Sequence, residues 1–176
     1  MLVKPNYQKM KNIMVMRHAK SDWSKSSLSD FDRPLNARGL KSAPFMGAEL
    51  LKRNRIPDLI ISSPATRAKT TAILAAESLG YQKEIVYEQD FYFGSIVDII
   101  EKIKLHGEEN NCVMVVGHNP TWESLVYKLI KTKSAVQLPT AAVASVQFDI
   151  EDWKDLNPGS GELEFLLIPK DLMLKV

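Results

Sequence analysis

Strand-like and helix-like patterns alternate four times along this chain, and two more strand-like runs then follow with only a loop between them. Repeated strand–helix units fold most readily as a parallel sheet with helices on both faces. The closing pair is joined by Asn157-Pro158-Gly159-Ser160-Gly161, a turn-forming stretch, and adds an antiparallel strand. The expected fold class is α/β. It is a three-layer α/β/α sandwich around a mostly parallel sheet of about six strands, with an antiparallel strand near the C-terminus.

The expected strands cover residues 13–16, 58–61, 84–87, 112–116, 143–148 and 163–168. The run at 112–116 is apolar throughout, and that at 84–87 is the weakest. Helical spacing links Leu40, Ala43, Met46, Gly47, Leu50 and Leu51, with Pro44 inside the pattern expected to kink the helix or shift its start. Ser63-Pro64 reads as a cap followed by proline at the first helical position. The Ala68, Ala72, Ala75, Leu79 face follows, and Gly80 ends it. Ile96, Ile99, Ile100 and Ile103 form one further stripe, and Trp122, Leu125, Val126, Leu129 and Ile130 another. Residues 24–32 are rich in Ser and Asp and read as a loop. With 176 residues and no linker, the chain is expected to be a single domain, 1–176, with its core at about 12–169.

The net charge of +2 gives no broad field for nucleic acid, so local Arg and Lys clusters must draw any anion. Residues 1–11 are polar and basic without an apolar core, and no apolar run reaches the roughly 18 residues of a membrane span. The single cysteine, Cys112, excludes an intrachain disulfide and reads as a small core residue. A cytoplasmic protein without membrane partners is expected.

The chemistry gathers where strands end. Arg17-His18 follows the first strand, Ser62-Ser63-Pro64-Ala65-Thr66-Arg67 the second, and Gly117-His118 the run at 112–116. Carboxyl ends of parallel strands share the edge at which open α/β sheets bind ligands. A neutral imidazole, with an ordinary pKa of roughly 6.5, is a competent nucleophile, and neighbouring cations favour that neutral form. Arg67, around the end of the first turn of a helix capped by Ser63, can fork onto phosphoryl oxygens, and His118 can donate hydrogen bonds to them. Phosphoryl transfer asks mainly for such positioning and charge neutralisation. Ser62 and Ser63 read as caps and turn residues, and His106 has no assigned role.

At these residues the chain resembles the histidine phosphatase superfamily, which is phosphoglycerate mutase-like in fold, and within it the SixA-type phosphohistidine phosphatases. The matching stretches are Val15-Met16-Arg17-His18-Ala19-Lys20-Ser21-Asp22-Trp23, Asp32-Arg33-Pro34-Leu35-Asn36-Ala37-Arg38-Gly39, residues 62–71, Val116-Gly117-His118-Asn119-Pro120 and residues 140–148. The resemblance implies that His18 accepts the phosphoryl group and that Arg17, Arg67 and His118 bind it. It also brings Arg33, Lys20 and Ser21 to the substrate, whereas the residues alone equally allow Arg33 a loop salt bridge with Asp30 or Asp32 and leave Lys20 a solvated lysine. No cofactor is expected, and no metal either, because the two histidines lie far apart in sequence with no carboxylate or Cys ligand motif beside them; full activity in chelator is the expected outcome.

Two departures stand out. Ala19 occupies a position where much of the superfamily has Gly. Larger members carry an acidic proton donor after the third strand, and Glu88-Gln89-Asp90-Phe91-Tyr92-Phe93-Gly94 offers no clear counterpart. Asp90, Asp22 and Asp32 are the carboxylates at hand. An alcohol phosphate expels an alkoxide of pKa near roughly 15 and gains much from an acid, whereas a phosphohistidine expels an imidazole of conjugate-acid pKa roughly 7. The expected activity is therefore protein phosphohistidine phosphatase, with a small-molecule phosphomonoesterase or mutase-like enzyme as the alternative and a non-catalytic phosphoprotein-binding module behind both. The expected partner is a phosphohistidine-bearing protein or a small phosphorylated substrate. Trp23, Trp122 and Trp153 are candidates for a binding platform, Trp122 reading better as core.

Overall fold

The structure, a computed structural model, describes residues 10–24, 27–132 and 134–174. Most of the polar N-terminal stretch, together with Lys25 and Ser26 of the expected 24–32 loop, lies outside the described residues.

Six strands build one sheet: β1 (Lys11–Arg17), β2 (Leu59–Ser62), β3 (Val86–Tyr87), β4 (Cys112–Gly117), β5 (Val143–Phe148) and β6 (Glu162–Leu167), in the order β3-β2-β4-β1-β5-β6. The β3–β2, β2–β4 and β4–β1 pairs are parallel, and β5 runs antiparallel to both β1 and β6. The helices are α1 (Ala37–Lys52), α2 (Thr66–Leu79), α3 (Asp90–Phe93), α4 (Ile96–Gly107), α5 (Thr121–Leu129) and α6 (Pro169–Met173). This is the expected three-layer sandwich with phosphoglycerate mutase-like topology.

Alternation along the strands divides the core in two. Met14, Met16, Ile60, Met114 and Val116 face α1 and α2, meeting Met46, Leu50, Ala68, Ala72 and Ala75. Ile13, Val15, Ile61, Val113 and Val115 face the other way, into Ile99 and Ile103 of α4 and Trp122, Leu125 and Leu129 of α5. Both faces of β4 are covered, which is why its sequence is apolar without alternation.

Several local expectations change. The buried stripe of α1 is narrower than its spacing suggests, because Leu40 and Leu51 are exposed. Helix α1 starts well before Pro44 and runs through it, fixed at its N-terminus by Asn36 Oδ1, which accepts from the Gly39 amide at 3.0 Å. Ser63 does not cap α2. Its amide still donates to Val116 O (2.9 Å), so sheet pairing continues through residue 63, and the helix begins only at Thr66 with Ala65 at the N-cap. Arg67 is thus the second residue of α2. Strand β3 has only two residues because only Ile61 and Ser62 of β2 pair with it. Cys112 is half-buried, and burial pushes its thiol up to about 12, so it is not a reactive thiolate. Among the described residues no helix is long and apolar enough to cross a membrane.

Candidate active site

The β1–β4 register sets Arg17 opposite Gly117, which brings the two histidine-bearing strand ends side by side. The His18 amide donates to Gly117 O (2.9 Å), and the Ala141 amide lies 3.2 Å from both Arg17 O and His18 O. The Ala19 amide donates to Thr71 Oγ1 (3.0 Å), and the Thr71 hydroxyl donates to Arg67 O (2.6 Å), so α2 holds the loop after His18 as well. Ala19 is fully buried, so a small residue is what the position requires. Gly117 lies against the Trp122 indole, and Gly39 against the Lys20 carbonyl; a Cβ at either would overlap its neighbour.

His18 is 8% exposed, with Nδ1 2.7 Å from the Ala19 carbonyl. A carbonyl only accepts, so Nδ1 carries the proton and Nε2 keeps its lone pair. Burial first, and then the charges of Arg67, Arg17 and Arg33, lower the pKa of His18 to about 4, although the bond to Ala19 opposes the shift. The imidazole is therefore neutral at pH 7, but desolvation rather than neighbouring cations is the main reason.

The His118 ring centroid lies 5.0 Å from that of His18. Burial chiefly lowers its pKa to about 3, so it too is neutral. Its Nε2 is 2.9 Å from Ser63 Oγ. A hydroxyl proton donated by Ser63 to Nε2 leaves the neutral ring's own proton on Nδ1. That Nδ1 is buried and meets no protein acceptor.

The arginines follow the same logic. Arg17 spends Nη1 on the Leu138 carbonyl (2.9 Å). Arg67, 5% exposed, spends Nη1 on the Asp30 carbonyl and Nη2 on Asp30 Oδ2 (2.9 Å). The Nε of each is buried and unpartnered. Arg17 Nε, Arg67 Nε and His118 Nδ1 are thus a set of buried atoms without a protein partner, on side chains that neighbour His18. The other orphan buried side-chain atom among the described residues, Asn119 Oδ1, is an acceptor and stands outside this set.

Arg33 does not offer a free fork. Its Nε and Nη2 donate to Asp30 Oδ1 (3.1 and 2.7 Å) and its Nη1 to Ser21 Oγ (3.1 Å), so its ion pair is with Asp30 and not Asp32. Ser21 is buried and supports Arg33, while Lys20 is exposed and makes no side-chain bond among the described residues. The three carboxylates considered as acids are occupied elsewhere: Asp22 accepts from the Ser24 amide, Asp32 from the Ser29 hydroxyl, and Asp90 faces Lys102 at 3.6 Å. His106 pairs with Glu88, away from the pocket. Trp122 and Trp153 are buried core residues, whereas Trp23 is 71% exposed and lies 3.5 Å from the Arg33 guanidinium. Asp30 and Tyr92 were not legible as site residues. Tyr92, in α3, donates to Asp30 Oδ2 (2.8 Å) and packs edge-on to the His118 ring at 5.4 Å.

The sequence and the fold both match known proteins. The sequence pattern of the histidine phosphatase superfamily (branch 1) matches residues 13–92. An uncharacterized protein of Mycobacterium tuberculosis is 30% identical over 164 residues, covering 88% of this chain and all of the relative. The chain belongs to the histidine phosphatase superfamily. Among solved structures, a SixA protein of Agrobacterium tumefaciens superposes on this histidine phosphatase with a TM-score of 0.76 at 27% identity, covering 90% of this chain and 98% of the other. The protein histidine phosphatase SixA complexed with tungstate shares the fold with a TM-score of 0.79 at 23% identity, over 92% of this chain and 99% of that one.

The two buried histidines make stability pH-dependent. Both bind protons less readily folded than unfolded, so between about pH 4 and the ordinary value of roughly 6.5 the unfolded chain holds more protons. Their stabilising contribution is complete above pH 6.5 and is lost as the pH falls through this window. The urea midpoint is expected to drop between pH 7 and 4.5, and a His18→Asn/His118→Asn double variant to show a much shallower drop. An equal slope in both proteins would contradict the assignment.

Proposed function

We propose that this histidine phosphatase hydrolyses phosphohistidine carried on a protein, by way of a phosphoryl group held on His18. The carrying observation is that Arg67, Arg17 and the ring of His118 converge on a histidine whose Nδ1 is committed to a carbonyl and whose Nε2 lone pair is free. In this reading Nε2 attacks phosphorus, and the bond from phosphorus to the substrate nitrogen breaks with its electron pair staying on that nitrogen. The leaving imidazole, already protonated on its other nitrogen, departs neutral. Water then attacks the phosphoryl group on His18, which regains its Nε2 lone pair as inorganic phosphate leaves. Arg17, Arg67 and His118 hold the equatorial oxygens, and Arg33 adds charge.

The choice of substrate rests on what stands beside His18. Partial burial pushes the Asp30 carboxyl up, but the Tyr92 hydroxyl and then Arg67 and Arg33 outweigh it and hold it well below the ordinary carboxylate range, at about 2. An ionised carboxylate cannot protonate an alkoxide, but a phosphohistidine needs no such donor. Trp23 and Phe93, 71% and 83% exposed, flank the mouth and suit a polypeptide surface. The likeness to SixA proteins supports the same substrate, and the lone half-buried cysteine suits a cytoplasmic setting.

The test compares kcat/KM for a phosphohistidine protein, phosphoserine, sugar phosphates and nucleotides. The phosphohistidine protein is expected to lead by at least about 100-fold, the discrimination that leaving-group chemistry can supply without a general acid. A strong preference for one metabolite would establish a small-molecule phosphomonoesterase instead.

A further inference from the structure

We propose that Asp30 is the positioning residue of this pocket: its carboxylate aims Arg67 and Arg33 and transfers no proton. The inference rests on the reading of the pocket as a phosphoryl-transfer site and adds how its cations are held.

A carboxylate offers about four acceptor sites, and all four of Asp30 are occupied. Oδ1 accepts from Arg33 Nε (3.1 Å) and Nη2 (2.7 Å), and Oδ2 from Arg67 Nη2 (2.9 Å) and the Tyr92 hydroxyl (2.8 Å). The Asp30 carbonyl takes Arg67 Nη1 as well. With both terminal nitrogens engaged, the Arg67 guanidinium is held in one orientation, and the N–H donors that these bonds leave over are fixed with it. Arg33 is placed by the same carboxylate on one side, and by Ser21 and the face of Trp23 on the other.

The segment carrying Asp30 is itself anchored. The Phe31 carbonyl accepts from the Thr66 amide at the start of α2 (3.0 Å), and Phe31 packs edge-on against Tyr92 at 5.2 Å. The Asp30 side chain is 53% exposed, so solvent screens its charge and its worth lies in orientation rather than in Coulomb energy. Without it, three arginines would share the pocket with only backbone, Ser21 and Trp23 to fix them.

Asp30→Asn keeps the shape but loses the charge and half of the acceptor capacity. Across aryl phosphates of graded leaving-group pKa, kcat/KM is expected to fall about 10- to 100-fold, the scale of a misplaced binding group, by the same factor for every member. Tyr92→Phe, which removes one of the four donors, is expected to lose less, with the same flat profile. A crystal structure of Asp30→Asn is expected to show the Arg67 and Arg33 head groups displaced. A loss that grows with leaving-group pKa would make Asp30 a proton donor and overturn the proposal, as would a loss below threefold or unmoved arginines. Failure of the wild-type protein to turn over any phosphoryl substrate would overturn the phosphoryl-transfer reading instead, and the positions of the two arginines would still decide the role of Asp30.

Discussion

Replacing His18 by alanine is expected to lower kcat by about 10⁴-fold or more, the scale seen when a covalent nucleophile is removed. Two features make the effect large. The ring has one usable lone pair, because Nδ1 is committed to the Ala19 carbonyl, and the other candidate nucleophiles beside it among the described residues are engaged: Ser21 with Arg33, and His118 Nε2 with Ser63. The fold is expected to survive, since the loop is held by backbone bonds to Gly117, Ala141 and Thr71 that alanine retains. Steady-state turnover of an aryl phosphate, read beside a thermal melt, checks both points. A folded His18→Ala protein with more than a few per cent of wild-type activity would remove His18 from the mechanism.

Arg67→Ala is expected to cost about 10²- to 10³-fold in kcat/KM, as the loss of one oriented donor to a developing charge does. The same change strips Asp30 of a partner and so loosens Arg33. Arg67→Lys is expected to recover little. A lysine carries the charge but on a single atom, and lacks the planar fork that spans the carbonyl and Oδ2 of Asp30 while facing the substrate. The comparison of the two variants on one substrate is the informative measurement. Near-complete recovery by lysine would mean that the pocket uses Arg67 only as a point charge.

The topology was legible because the signals behind it are periodic. The apolar run at 112–116 and the alanine face from Ala68 to Leu79 each have one good burial solution, and β4 and α2 take it. His18, Arg67 and His118 were legible because they follow strands, and strand ends in a parallel sheet are gathered by register. Asp30 and Tyr92 were not. Each lies in a stretch without periodicity, and they meet across 62 residues of chain through a single hydrogen bond. Ser63 was misplaced for a related reason: a serine before proline has the local chemistry of a helix cap, but continued pairing with β4 moved the helix start and released its hydroxyl to His118. The low pKa of His18 was anticipated in direction but not in cause, since burial depends on packing that a motif does not show.

The central claim is that the phosphoryl group passes through His18. Rapid quench of the enzyme with a ³²P-labelled phosphohistidine protein, within the first turnover, tests it most directly. Acid-labile, base-stable label on the peptide containing His18, rising and decaying at rates consistent with kcat, is the predicted result. Release of inorganic phosphate with no label ever present on that peptide would contradict it.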